Sequence, residues 1–270
     1  MNRFNVRFWT SSRAADVFFP LITLVAGIVV WTFAIRVFSI PNYILPSPGS
    51  VLAAMRLGYI DGEYWPHVWF TLQNIIVGYV CGCVAAILMG ALLAESRNFE
   101  RFVYPYIIAL QSMPKVALAP LIIVWFGFGN LSKIVMVALI CFFPMFINTS
   151  SGIKQTPAHL INMMRVFSAS RVDVFLRVKL RAALGHIFAG LQIGIVLGLI
   201  GEVVAEFIAS TKGLGYLIAT SQANFDVATM FAALFGLVAI GICGTQLIRW
   251  IGARAIFWEA KLPGSNVAEG

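Results

Sequence analysis

Three charged side chains stand where the surrounding residues are almost wholly apolar: Lys115, Glu202 and Glu206. A charge in hydrocarbon costs at least about 2.5–3.5 kcal/mol on insertion scales, so such groups face a bundle interior, a watery path or each other. Lys115 lies about 13 residues past the start of an apolar run at residue 102, roughly 20 Å along a straight helix. Glu202 and Glu206 are four apart and share one helix face, toward the outer end of their run. Two readings follow. The three groups line or gate a path for a polar solute, with Lys115 and the acids as ion partners, or they bridge helices as a structural element.

Other chemistry finds no support in the residue pattern. There is no G-x-x-x-x-G-K-[ST] phosphate loop; Lys212-Gly213-Leu214-Gly215 lacks its spacing and its strand. No serine stands with a His and an acid at suggestive positions. His67, His159 and His186 are scattered without ligand spacing, and Cys81, Cys83, Cys141 and Cys243 all fall in apolar runs. The reading is of a non-catalytic chain, with no catalytic, cofactor-binding or metal-ligating residues of its own. Energy for any active transport must come from a gradient or a partner.

Hydrophobic residues make up 60% of the 270 and charged residues 11%, against about 25% charged in soluble domains. Mean hydropathy is +0.89. This composition predicts an all-α, polytopic membrane helical bundle. Six runs are long enough to span, at about 17–37, 68–94, 102–126, 132–151, 185–209 and 228–252. Pro114 and Pro120 make the third irregular. The arginines before the first run suit a signal peptide, but that run is long enough to span and no cleavage site follows, so it reads as an uncleaved first helix. Of the nineteen Lys and Arg, fourteen lie on the side of the termini, four on the opposite side, and Lys115 within a span. The asymmetry predicts both termini in the cytoplasm and explains the net charge of +8 without nucleic acid.

Between the fourth and fifth runs lies a basic cytoplasmic segment, residues 155–184. Thr156 as N-cap and Pro157 at the first position predict a helix to about Phe167, with Leu160, Ile161, Met164 and Phe167 as one apolar stripe. Ser168-Ala169-Ser170 breaks it. Ser170 then caps a second helix, with Asp173 closing a capping box. Such a segment is a docking surface for another protein or a basic loop lying on anionic headgroups. In the first outer loop, Val51–Leu57 reads as a short helix opened by Ser50. Small residues recur every four positions at Gly78, Gly82, Ala86 and Gly90, and again at Gly190, Gly194 and Gly198. Such faces pack helices closely, within the chain or across a homodimer seam.

The basic segment resembles the E-A-A-x-x-x-G-x(9)-I-x-L-P signature of binding-protein-dependent ABC importer permeases. Asn162-Met163-Met164 stands for E-A-A, Ser168 for G, Val178 for I and Leu180-Arg181 for L-P. The spacing is kept while most of the residues are replaced. Longer stretches are similar to the nitrate/sulfonate/taurine branch: Leu45-Pro46-Ser47-Pro48, Pro114-Lys115-Val116-Ala117-Leu118-Ala119-Pro120-Leu121, Gly201-Glu202-Val203-Val204-Ala205-Glu206-Phe207, and Gly213-Leu214-Gly215-Tyr216-Leu217-Ile218. Together they cover about residues 41–255.

The resemblance implies a type I importer permease with a cytoplasmic N-terminal segment 1–16, a transmembrane permease domain 17–255 containing the coupling loop 155–184, and a flexible cytoplasmic tail 256–270. It implies ATPase coupling through Asn162, Met163, Met164, Arg165, Val166, Phe167, Ser168 and Ala169. The implied partners are two ATPase subunits carrying ATP-Mg, a second copy of the permease, a periplasmic or lipoprotein binding protein, and the bacterial inner membrane. The solute would be a small anion such as a sulfonate, taurine or nitrate, or else a heterocyclic vitamin precursor. The competing classes are a self-contained secondary transporter or channel, and a membrane enzyme using Lys115, Glu202 and Glu206.

Overall fold

The computed structural model of the chain describes residues 13–257, and these are all helix, turn or extended connection, with no strand among them. Most of the expected segment 1–16 and of the tail 256–270 lies outside the described residues. In chain order the elements are α1 (Arg13–Val37), α2 (Pro48–Met55), α3 (Trp65–Glu95), α4 (Arg97–Ser112), α5 (Ala119–Phe126), α6 (Asn130–Lys154), α7 (Ala158–Val166), α8 (Arg171–Val174), α9 (Leu180–Ala182), α10 (Leu184–Ala209), α11 (Leu214–Ala223) and α12 (Val227–Ala255). A π-helical turn at Arg56–Ile60 extends α2, and another at Phe175–Lys179 joins α8 to α9.

Five helices are long and apolar enough to cross a membrane alone, and α4 with α5 makes a sixth, bent pair. The third run departs from a single kinked helix. Pro114 forces Met113 into extended backbone (ψ 141°), ending α4, and a 3₁₀ turn over Lys115–Leu118 leads into α5 at 89° to α4. Pro120 fits the first turn of α5, where its missing N–H costs nothing. At 8 residues α5 is only about 12 Å long, too short to span alone.

In the first outer loop the helix begins earlier than Ser50. Ser47 is the cap, accepting from the Ser50 N–H at 3.1 Å, with Pro48 at the first helical position.

Two compact units are distinguishable among the described residues: 13–63 with 218–233, and 64–217 with 234–257. In the first, the Tyr59 hydroxyl donates to the Ala232 carbonyl at 3.0 Å and Trp31 packs on Phe231. In the second, α6 is the central helix, with α3 and α10 packed against it and against each other. The core at one end of α6 is built on Ala86, Leu93, Met145, Phe146, Ile153 and Ile187.

The small-residue stripes explain how close these helices come. A Cβ on Gly82 would sit 2.6 Å from both the Ala138 carbonyl oxygen and Cys141 Sγ, and one on Gly78 would sit 2.6 Å from the Ile134 oxygen. Gly190, Gly194 and Gly198 of α10 face Met145, Cys141 and Val137 from the other side. Both stripes are therefore spent on α6 within this chain, not on a seam with a second copy.

This packing predicts a contrast. Gly82→Leu must push α3 off α6, an overpacking of about 1–3 kcal/mol or more, and should lower the unfolding temperature in detergent sharply. Gly27→Leu, where nothing lies within 4 Å, should leave it unchanged.

Candidate functional site

Glu202 and Glu206 are shut away from solvent, at 0% and 1% exposure. A carboxyl group there needs donors from the protein, because lipid offers none. They come from α3, where His67, Thr71 and Asn74 follow one another at helical spacing. Thr71 Oγ1 donates to Glu206 Oε1 at 2.7 Å, and Asn74 Nδ2 donates to Glu202 Oε1 at 2.9 Å. The Gly215 N–H donates to Glu206 Oε2 at 2.6 Å, and the Leu214 N–H donates to Thr71 Oγ1 at 2.8 Å. His67 Nδ1 lies 3.1 Å from both the nitrogen and the oxygen of Gly213. Gly213 has φ +111°, and a Cβ on it would collide with the Glu206 carboxyl. The turn between α10 and α11 is thus wrapped onto Glu206.

A buried lysine completes this end of the bundle. Lys133, 1% exposed, donates from Nζ to the carbonyls of Phe128 (3.0 Å), Gly129 (3.1 Å) and Ala209 (2.7 Å). Ala209 is the last residue of α10, so the ammonium satisfies a free carbonyl at the negative end of that helix. Its charge also acts on Glu202 and Glu206, though it closes no salt bridge with either among the described residues. The same contacts fix topology. Phe128, just past α5, lies at the end of α10 opposite the basic loop, so α4 and α5 together cross from one end to the other. Gly252 of α12 packs on Phe188, near the start of α10, so the last span returns to the basic-loop end.

Lys115 is elsewhere. It sits at the bend, half-buried, with Nζ donating to the Gln111 carbonyl at 3.1 Å and lying 4.8 Å from the centre of the Phe143 ring. No ion pair joins it to Glu202 or Glu206 among the described residues. It lines a cavity of about 390 Å³ with Gln111, Pro114, Phe143, Pro144 and Leu197. The 3₁₀ turn presents the ammonium sideways, which a straight helix would not do.

The basic loop forms the two expected helices. The first starts one residue late, with Pro157 as its cap. Thr156 does not cap it; its hydroxyl turns back to the Ile153 carbonyl at 2.8 Å and closes the end of α6. Leu160, Ile161 and Met164 are half-buried against the body, whereas Met163, Val166 and Phe167 are 50%, 82% and 76% exposed. Phe167 thus leaves the inward stripe, because Val166 ends the helix. Asn162, Arg165 and Ser168 are exposed and Ala169 is half-buried. Ser168 adopts φ +55°, the left-handed conformation that glycine adopts most cheaply. Its N–H donates to the Arg165 carbonyl at 2.9 Å, and the Ala169 N–H to Met164 at 3.1 Å. Ser170 caps α8 through the Asp173 N–H, and its hydroxyl, with Arg177 beside it, holds the Asp173 carboxyl below the usual range.

Sequence reasoning singled out the two acids but missed their partners. His67, Thr71 and Asn74 carried a readable signal: polar residues at i, i+4 and i+7 in an otherwise apolar span. Lys133 carried none, since beside Asn130 it reads as a loop lysine.

A family model described as "Binding-protein-dependent transport system inner membrane component" matches residues 78–256. The chain is 31% identical to the formylaminopyrimidine transport permease protein of Halalkalibacterium halodurans, over 90% of this chain and 96% of that one. It is 35% identical to the riboflavin transport system permease protein of Chloroflexus aurantiacus, over 89% and 90%. It is 33% identical to the putative aliphatic sulfonates transport permease protein of Escherichia coli, over 84% and 85%. In fold it is similar to a chain of the methionine ABC transporter in an inward-facing conformation, at TM-score 0.63 and 19% identity, covering 74% of this chain and 97% of that one.

Two outcomes follow from this geometry. Thr71→Val removes a donor to Glu206 and the acceptor for Leu214, a loss of about 1–3 kcal/mol. It should lower the unfolding temperature in detergent and open residues 210–215 to protease, while Thr23→Val, which loses only an exposed bond to Phe19, should do neither. Ser168→Gly should stabilise the turn after α7 by up to about 1 kcal/mol, read as slower amide exchange at Ala169, and Ser168→Val should speed it.

Proposed function

We propose, from the premise that this chain belongs to the binding-protein-dependent transport system inner membrane components and is the permease of an ABC importer, that it couples to its ATPase through Asn162–Ala169. The sequence carries no G-x-x-x-x-G-K-[ST] phosphate loop, and in this reading ATP-Mg would be hydrolysed on the partner, in a complex of two permeases and two ATPases. A binding protein would deliver solute at the Lys133 end. Both termini would then lie in the cytoplasm with the basic loop, as the Lys and Arg distribution supports.

The observation that carries this reading is the tip of α7. Met163, Val166 and Phe167 form a protruding apolar cluster, and such clusters mark interaction sites. Ser168 keeps, at φ +55°, the turn that the family signature fills with glycine. The degraded signature therefore retains the backbone shape of a docking element.

Lys115 and its cavity are placed on the translocation path in this reading, half-way along the bundle where the spans are interrupted. Glu202 and Glu206 act at the gate by fixing the turn between α10 and α11. For the solute, a planar heterocycle of the vitamin-precursor class is favoured by what two relatives are named for and by the apolar part of the cavity lining, which includes Phe143 and Leu197. A second reading, a small anion, is favoured by the sulfonate relative and by the Lys115 ammonium, which spends one donor on Gln111.

Capture of a neighbouring-gene ATPase in detergent tests the coupling. The native chain should retain it, and a chain with residues 162–169 replaced by Gly/Ser should not; equal retention, or none by either, would remove the docking role. In proteoliposomes, Lys115→Met should reduce uptake with ATPase capture intact. Competition of labelled formylaminopyrimidine against taurine separates the two solute classes.

A further inference from the structure

The coupling loop leaves α6 and re-enters α10, and each of its roots carries a lysine that reaches the same place. Lys154, the last residue of α6, lies 2.5 Å from Glu100. Lys179, at the end of the second π turn, lies 2.6 Å from Glu95. Glu95 ends α3 and Glu100 is in the first turn of α4, so the two acids flank the single corner at Ser96. That corner is tight: Ser96 accepts from the Phe99 N–H at 3.3 Å and caps α4. Lys154 also lies 5.8 Å from the Tyr104 ring, one turn further along α4.

Glu95 is held under the coupling helix itself. It lines a cavity of about 290 Å³ together with Ile161, Arg165 and Ala169 of the loop, and with Lys179. Among the lining residues it is the one acid. From the corner, α4 runs 16 residues to the bend, with Ile107 seated in the core, and ends at the Gln111 carbonyl that holds Lys115. Pro105 removes one backbone hydrogen bond within α4, but the helix continues without a break to Ser112, so a displacement at Glu100 is passed along it toward the bend.

We propose that these two ion pairs are the mechanical link between the coupling loop and the bend, with Glu95, Glu100, Lys154 and Lys179 as positioning residues. ATPase closure moves the loop, the paired roots pull the α3–α4 corner, and α4 re-aims Pro114 and Lys115 at the cavity. This rests on the reading that the ATPase docks on the loop. Each pair is about a third exposed, with side-chain exposures of 36% and 37% for Lys154–Glu100 and 21% and 38% for Lys179–Glu95. Pairs this exposed are weak as stabilisers, so their loss should spare the fold and show in transmission.

The test reconstitutes the complete transporter with its ATPase and binding protein and measures solute imported per ATP hydrolysed, with ATPase capture measured separately. Lys179→Glu and Glu95→Lys alone should each lower the ratio roughly two- to fivefold, as fits the strength of exposed pairs, with capture unchanged. The double swap should restore it, and Lys154→Glu with Glu100→Lys should behave likewise. Single variants at the wild-type ratio, or a captured double swap that stays low, would overturn the link. If the swapped chain does not reach the membrane, Glu95→Gln with Lys179→Gln decides: a lowered ratio supports the link and an unchanged one overturns it. Failure of the wild-type chain to capture ATPase would instead sink the docking reading beneath it.

Discussion

Glu206 lies where neither water nor lipid can solvate it, and the end of the bundle is built around that need. A carboxyl group in such a place needs hydrogen-bond donors from the protein, since each unmet group costs several kcal/mol. Thr71 and the Gly215 N–H meet it, and meeting it fixes where α3, α10 and the turn into α11 must lie. Gly213 and Gly215 follow from the same demand, because any side chain there would enter the space the carboxyl occupies. Lys133 supplies a buried cation at this end while tying α10 to the connection before α6. One acid thus dictates two glycines, a threonine and the meeting of four helix ends.

The bend at Pro114 applies the opposite logic. There the chain gives up helical hydrogen bonds in mid-bundle, which is permitted only beside protein or a watery cavity. Lys115 repairs part of the deficit by donating to Gln111, and the remainder opens onto the cavity. A hydrogen-bonded polar knot lies at one end and an interrupted span in the middle, and α4 leads from the corner at Ser96 to that interruption. Its root lies beside the basic loop.

The spans were legible from composition because twenty apolar residues have few other uses, and their bounds agree with the structure to within a few residues. The interruption at Pro114 was legible as irregularity but not as an 89° turn, since a proline ends a helix without stating where the chain goes next. The acid pair was visible as a violation of apolarity. Its separation from Lys115 was not, because depth along a straight helix carries no information about azimuth or bending. The glycine stripes could be read as packing faces, but only the structure shows that α6 uses both. Ser168 is the instructive case. A serine stands where the resembled signature has glycine, yet its backbone adopts φ +55°, with the bonds from Ser168 and Ala169 back to α7 offsetting the cost of a side chain there.

None of the best spanning window of α1 is buried within the chain, whereas half of that of α6 is. The two helices therefore answer to different judges. For α1 the bilayer asks only for length and greasiness, and one apolar side chain serves as well as another. For α6 every second position or so is inspected by a neighbouring helix. Sequence drift in descendants of this chain should accumulate in the first helix and stall in the middle one, so that α1 would look unrelated between two transporters whose α6 could still be superimposed residue by residue.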